Sequence, residues 1–270
     1  MNDTTRRCSE EGTVPCHTVQ GQGQPLVLIM GLGGSKEAWI FQTTAFRRHY
    51  QVITFDNRGV DSTRAGSQPC TIELMAADTI VLLDHLGIES AHILGYSLGG
   101  LVAQEIAIRY PTRVRKLILA SSVAVGGESE RSTAGVQKAL GLEAGSAEQR
   151  VNLERVMPVL VDLAFNRWAF RRLVGLVAGS YTRRLRLEGL AAQLQASAGA
   201  NTLDRLGSIR ATTLVLTGTK DRVVDPSASR LLASRIPHAK LVLVENGSHA
   251  LAIEMSRRFN REVLGFLSAD

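Results

Sequence analysis

Short apolar runs alternate with longer amphipathic stretches along this chain. Each run has the length and the β-branched content of a buried strand, and the runs cover residues 25–30, 51–56, 91–96, 116–121, 212–218 and 240–246. Between two of them, residues 71–87 repeat apolar positions at helical spacing and end at Gly87, which suits the C-terminal cap of a helix. The pattern predicts an α/β fold with a mostly parallel central sheet flanked by helices.

The alternation stops between about Gly126 and Leu206, where the sequence is rich in Ala, Leu and Arg and contains no convincing strand. We predict a helical cap, or lid, domain over residues 126–206, inserted into a core domain formed by residues 1–125 and 207–270. The insertion carries a basic cluster, which we interpret as a solvated helix face. A surface that attracts anionic substrates or anionic lipid is the alternative. The cluster comprises Arg167, Arg171, Arg172, Arg183, Arg184 and Arg186.

The composition is that of an ordinary globular chain, with 270 residues, 44% of them hydrophobic, and a formal charge of +6. Basic residues are spread along the chain instead of forming a dense run with aromatic residues, so we expect no nucleic-acid partner. The N-terminal stretch is not apolar, and we therefore expect a cytoplasmic protein without stable membrane insertion. Three irregularly spaced cysteines, Cys8, Cys16 and Cys70, indicate neither a disulfide framework nor a metal site. The oligomeric state is left open.

The strongest chemical signal is the run ILGYSLGGLVAQEIA at residues 93–107. An apolar strand leads into Gly95-Tyr96-Ser97-Leu98-Gly99 and then directly into a helical pattern, which is the context of a nucleophile elbow. A turn sharp enough to present Ser97 brings strand and helix so close that side chains at positions 95 and 99 would collide. Ser97 is therefore predicted to be a nucleophile at the N-terminus of a helix, where negative charge is favoured.

A second motif, residues 26–39, is a strand followed by a Gly-rich turn that can aim backbone N–H groups at a developing oxyanion. The predicted donors are the amides of Leu32 and Leu98. A dinucleotide-binding fingerprint is the rival interpretation, because Gly31 and Gly33 follow a strand and Asp56 ends the next one. That fingerprint needs a third glycine where this chain has Lys36, and it leaves the Ser97 elbow unexplained.

The acid and the base of a triad are predicted from two later strands. Asp221 follows the strand at 212–218, and His249 follows the last strand after a short Asn-Gly-Ser turn. Both positions lie at the carboxyl edge of a parallel sheet, where α/β active sites assemble. Asp225 is the competing acid, but its place before Pro226 favours a turn or helix start. The order Ser, Asp, His is that of an α/β hydrolase and differs from the other two well-known serine triads.

Together these motifs resemble the α/β-hydrolase superfamily from about Gly21 to the C-terminus, through PLVLIMGLGGSKEAW, FDNRGVDST, ILGYSLGG, LVLTGTKDRVV and GSHA. The resemblance implies an α/β-hydrolase fold with a helical cap. Residues 193–218 are further similar to the junction of cap and core in the esterase and enol-lactonase branch. Many relatives have His where Met30 stands, so the hydrogen bonding of the oxyanion loop is expected to differ although its backbone donors remain.

The predicted function is a serine hydrolase that cleaves small carboxylic esters through an acyl-enzyme on Ser97, with Asp221 and His249 completing the triad. Lactone or enol-lactone hydrolysis is the first alternative, followed by hydrolysis of a C–C bond in a diketone-like substrate. A ligand-binding protein without catalysis is the alternative from another class. No cofactor or metal is expected, and the substrate is a small ester or lactone. The pocket is predicted to include Phe165, Trp168, Val223 and Leu251.

Overall fold

The computed structural model describes residues 14–61, 63, 70–126, 164–165 and 187–269. Its centre is a seven-stranded sheet with the strand order β1-β3-β2-β4-β5-β6-β7. All neighbouring strands run parallel except β1, which pairs antiparallel with β3 at one edge. The strands are β1 (His17–Gln20), β2 (Gln24–Ile29), β3 (Tyr50–Phe55), β4 (Ala91–Tyr96), β5 (Val114–Ala120), β6 (Thr212–Gly218) and β7 (Lys240–Val244).

The six strands predicted from apolar runs are confirmed, with boundaries that differ by at most two residues. The edge strand β1 was missed because its sequence, HTVQ, contains a single aliphatic residue and does not resemble a buried strand. Gly21 and Gly23 adopt positive φ angles of 83° and 103° between β1 and β2, so the chain turns there before entering β2.

Helices cover both faces of the sheet, as the α/β pattern predicts. One face packs against α2 (Ile72–His85), α3 (Leu98–Arg109) and α5 (Pro226–Arg235). The other packs against α1 (Ile40–Phe46), α6 (Leu251–Glu254) and α7 (Ser256–Ser268). A further helix, α4 (Leu187–Ala198), precedes β6, and short 3-10 turns cover Lys36–Trp39, Pro111–Arg113 and Leu203–Ser208.

Helix α2 agrees with the predicted segment 71–87 at both ends. The Thr71 hydroxyl accepts a hydrogen bond from the Leu74 amide at 3.1 Å and so caps the N-terminus. Gly87 follows the C-terminus with a φ of 67°, the left-handed conformation that ends many helices.

The predictions on the cap, the cysteines and the membrane have different outcomes in the structure. Much of the predicted cap lies outside the described residues, including Trp168 and the whole basic cluster, so the division into core and cap stays a prediction. Cys16 is disulfide-bonded, contrary to the expectation from the cysteine spacing, whereas Cys70 is a free thiol. Among the described residues, no helix is both long and apolar enough to cross a membrane.

Candidate active site

Ser97 occupies a strained turn between β4 and α3. Its φ of 53° and ψ of −120° are unusual for a residue with a side chain. A Cβ atom on Gly95 would lie 2.3 Å from the Gly99 carbonyl oxygen, and one on Gly99 would lie 2.2 Å from that of Ile29. Glycine is therefore required at both positions, and the turn has the geometry of a nucleophile elbow.

His249 and Asp221 are brought to Ser97 from the loops after β7 and β6. The Nε2 atom of His249 lies 3.2 Å from the Ser97 Oγ, and its Nδ1 lies 2.8 Å from the Asp221 Oδ2. The Asp221 side chain is fully buried, whereas 12% of the His249 side chain is exposed. The structure thus places serine, imidazole and carboxylate in one continuous hydrogen-bonded line.

The Asp221 carboxylate is held on both of its oxygens. Its Oδ1 accepts hydrogen bonds from the amides of Val223 at 2.9 Å and Val224 at 2.8 Å. Two amide donors satisfy one side of a buried carboxylate and leave Oδ2 to orient the imidazole.

Asp225, the competing acid, has a different role in the structure. It caps the N-terminus of α5, where its Oδ1 accepts a hydrogen bond from the Ser227 amide at 2.8 Å. Hydrogen bonding to Ser227 lowers the pKa of Asp225, as expected for a carboxylate at a helix N-terminus. The structure brings Asp221, and not Asp225, to His249.

The loop after β2 lies directly against the serine. A Cβ atom on Gly31 would be 3.0 Å from the Ser97 Cβ, and Leu32 and Leu98 both line the cavity beside Ser97. The Met30 carbonyl accepts a hydrogen bond from the Asn57 side-chain amide at 3.0 Å, so a side chain after β3 supports the start of this loop. Leu32 and Leu98, whose amides are the predicted oxyanion donors, thus lie beside the serine.

The dinucleotide interpretation is excluded by the partners of Asp56. Its carboxylate is fully buried, forms an ion pair with the Lys36 ammonium, and accepts a hydrogen bond from the Lys36 amide at 2.9 Å. Burial raises the pKa of Asp56 while the Lys36 contacts lower it. Both oxygens are engaged within the protein, so Asp56 cannot bind a ribose and instead ties the end of the glycine loop to β3.

A cavity of about 330 Å³ opens above Ser97 and His249. The described residues that line it are mostly apolar, among them Leu101, Val123, Phe165, Leu194, Val223 and Ile253. Phe165 and Val223, two of the predicted pocket residues, line this cavity. Leu251 does not line the cavity, because it starts α6 with its side chain buried in the core cluster that includes Phe259. Its neighbours Ala250, Ala252 and Ile253 line the cavity instead.

The comparison with known families agrees with this geometry. The family model of the α/β-hydrolase fold matches residues 24–255. The chain belongs to the α/β-hydrolase family.

The names of proteins similar to this chain refer to the hydrolysis of more than one kind of bond. RutD of Azorhizobium caulinodans, whose given name proposes carbamate hydrolysis, is 30% identical over 254 residues, which cover 93% of each chain. The 3-oxoadipate enol-lactonase 2 of Acinetobacter baylyi is 28% identical over 90% of this chain and 88% of its own. The crystal structure of the enol-lactonase from Burkholderia xenovorans LB400 superposes with a TM-score of 0.80 at 26% identity, covering 94% and 96% of the two chains. The chain is therefore a hydrolase.

The sequence analysis did not predict the roles of two polar residues that support the site of this hydrolase. The phenol of Tyr96 donates to the backbone carbonyl of His249 and so ties the histidine loop to β4. Burial is the main cause that raises the pKa of Tyr96, which keeps it a neutral donor. Gln193 of α4 accepts a hydrogen bond from the Gly33 amide of the oxyanion loop. Gln193 belongs to no recognisable motif. Tyr96 occupies a variable position of the elbow motif, and its place directly before the nucleophile was a signal available in the sequence.

Among the described residues, no group of three or more His, Cys, Asp or Glu side chains is arranged to hold a metal ion. The polar chemistry that the described part of the site offers is that of serine, histidine and aspartate together with backbone amides.

Proposed function

We propose that this hydrolase is a serine carboxylesterase that forms an acyl-enzyme on Ser97. The observation that carries the proposal is the line of hydrogen bonds from the Ser97 Oγ through both nitrogens of His249 to the Asp221 Oδ2, with distances of 3.2 Å and 2.8 Å. A serine, a base and an orienting acid in this arrangement activate a hydroxyl that is otherwise a weak nucleophile.

The reaction proceeds in two halves. His249 Nε2 takes the Ser97 proton as Oγ attacks the ester carbonyl, and Asp221 stabilises the imidazolium that results. The amides of Leu32 and Leu98 donate to the oxyanion of the tetrahedral intermediate. When the intermediate collapses, the bond to the alcohol breaks and His249 returns the proton to the departing oxygen. Water, deprotonated by His249, then attacks the acyl-enzyme and releases the carboxylic acid and free Ser97.

The cavity supports small esters with apolar acyl groups as substrates. Its described lining is mostly aliphatic and aromatic away from the triad, and such a surface favours hydrocarbon over charged groups. A volume of about 330 Å³ lies at the lower end of the range for small-molecule pockets, so short to medium acyl chains fit best.

Lactone hydrolysis is the second candidate, and the similarity to two enol-lactonases favours it. The same triad opens a lactone by the same steps, except that the leaving alcohol stays attached to the acyl group. The substrate therefore decides between the two candidates, while the role of Ser97 is common to both.

A substrate panel tests the proposal and ranks the candidates. We expect the wild-type protein to hydrolyse p-nitrophenyl esters and to prefer them, or a lactone, over an aryl diketone acid. Ser97→Ala should lower kcat by at least about 10⁴-fold without changing the thermal unfolding midpoint. A Ser97→Ala protein that keeps wild-type turnover would overturn the assignment of the nucleophile.

A further inference from the structure

Gln193 connects helix α4 to two loops that border the active site. Its side chain is fully buried. The Oε1 atom accepts a hydrogen bond from the Gly33 amide at 2.9 Å, and the Nε2 atom donates to the Arg58 carbonyl at 2.7 Å. One side chain thus joins the oxyanion loop to the loop after β3.

The two ends of the oxyanion loop have supports of their own. Asn57 holds the Met30 carbonyl at the start of the loop, and Asp56 holds the Lys36 amide at its end. Gln193 acts between them, on the peptide that directly follows Leu32. The Gly33 amide shares one planar peptide unit with the Leu32 carbonyl. Fixing that unit restricts rotation about the Leu32 ψ angle and so limits the movement of the neighbouring peptide unit, which carries the Leu32 amide.

The position of α4 is itself closely defined. A Cβ atom on Gly189 would lie 2.1 Å from the Gly59 carbonyl oxygen, so the helix backbone packs directly on the loop after β3. That contact lies one helical turn before Gln193 and fixes this part of the helix against the loop whose Arg58 carbonyl Gln193 binds.

From these contacts we infer that Gln193 is a positioning residue that holds the Leu32 amide in the orientation needed to stabilise the oxyanion. The inference rests on the proposed function, since it assigns Gln193 a role in the same oxyanion site. It acts through the loop and does not touch the reacting atoms. Leu194 and Ser197 of the same helix line the cavity, so the element that contacts the substrate also orients the oxyanion donor.

The first test compares Gln193→Met with Gln195→Met. Both replace a glutamine of α4 by a flexible apolar residue of similar length, but Gln195 is exposed and serves as the matched control. Gln193→Met should lower kcat on a p-nitrophenyl ester by about 10- to 100-fold, less than the loss of a whole oxyanion donor, with KM within about twofold of wild type. Gln195→Met should match wild type in both constants.

A transition-state mimic separates positioning from a structural role. An alkyl boronic acid adds to serine and forms a tetrahedral anion, whereas the product carboxylic acid does not. Gln193→Met should bind the boronic acid more weakly by the same factor as its loss in kcat/KM and bind the product with unchanged affinity. Equal losses for boronic acid and product, or no loss for either, would overturn the inference.

Gln193→Glu provides a second test should the methionine variant fail to fold. A protonated glutamic acid reproduces both hydrogen bonds of glutamine, because its carbonyl oxygen accepts and its hydroxyl donates. An ionised one cannot donate to the Arg58 carbonyl and places negative charge beside the oxyanion loop. The ratio of variant to wild-type kcat should therefore rise as the pH is lowered toward about 5. A ratio that is constant with pH would contradict the inference.

These outcomes are distinct from a failure of the proposed function. If the wild-type protein neither hydrolyses esters or lactones nor binds the boronic acid, the proposed function fails. If the wild-type protein is active and Gln193→Met retains its kcat, only the role of Gln193 fails.

Discussion

The Asp221 carboxylate lies 2.8 Å from the Nδ1 atom of His249, whereas Asp225, four residues later in the same loop, caps helix α5. The two acids that compete in the sequence for the same role therefore have different partners in the structure. The difference comes from the amides of Val223 and Val224, which bind the Asp221 Oδ1 and leave its Oδ2 directed at His249.

This division predicts opposite results for the two acids. Asp221→Asn should lower kcat by about 10³- to 10⁴-fold, because an amide in place of the carboxylate favours the wrong histidine tautomer and does not stabilise the imidazolium. Asp225→Ala should leave kcat unchanged and lower the free energy of unfolding by about 1 kcal/mol through the lost helix cap. Steady-state kinetics and urea denaturation of both variants check the pair. The assignment is wrong if Asp225→Ala loses the activity instead.

The sheet and the nucleophile could be predicted from sequence because each leaves a local pattern. Buried parallel strands are continuous apolar runs, and the elbow needs glycine at positions 95 and 99 whatever surrounds it. Strand β1 leaves no such pattern, since an edge strand tolerates polar residues and is defined by its partner β3.

The supports of the site could not be predicted in the same way. Tyr96 contacts the carbonyl of His249 across 153 residues of sequence, and Gln193 contacts the Gly33 amide across 160 residues. Such contacts depend on packing between distant elements and leave no spacing to recognise. Leu251 was misplaced for a related reason, because the side on which α6 presents each residue is set by its packing on the core.

Tyr96→Phe should weaken the histidine loop. The substitution removes the donor to the His249 carbonyl and leaves that oxygen without this partner. We expect the free energy of unfolding to fall by about 1–3 kcal/mol and kcat to fall by less than about tenfold, because the triad contacts remain. Tyr110→Phe, at the C-terminus of α3, is the matched control and should change neither quantity. A stable Tyr96→Phe protein would show that the bond contributes little.

His92 should make stability dependent on pH. It is buried in β4, and desolvation, aided by Arg115 and Lys116, lowers its pKa to about 4 from 6.5. The unfolded chain therefore binds more protons than the folded one between these pH values, and the free energy of unfolding should fall as the pH falls from 6.5 to about 4. The contribution is at most about 3 kcal/mol.

The comparison with His92→Gln isolates this residue. Glutamine does not titrate, so the fall in unfolding free energy between pH 6.5 and 4 should be smaller in the variant. The difference in unfolding free energy between the two proteins at pH 8 measures the effect of the substitution on packing. It is subtracted from the differences at lower pH. Parallel pH curves for wild type and variant would assign the effect to other groups.

A smaller cavity should shift the substrate preference toward shorter acyl chains. Leu194 lines the cavity, and Leu194→Trp should reduce the space available to the acyl group. The ratio of kcat/KM for p-nitrophenyl hexanoate to that for the acetate should fall by about tenfold, because long chains lose apolar contact or clash. Leu231→Trp is the control, because Leu231 lies on α5 and does not line the cavity. This variant should leave the ratio unchanged. The same chain-length profile in both variants would place the acyl group elsewhere.

Covalent labelling of the serine tests the central claim most directly. A fluorophosphonate reacts with a serine only when the hydroxyl is activated and the oxyanion is stabilised. We expect intact-mass spectrometry of the wild-type protein to show a single adduct, peptide mapping to place it on Ser97, and Ser97→Ala to remain unlabelled. A folded, monodisperse wild-type protein that does not react, or that reacts at another residue, would contradict the account.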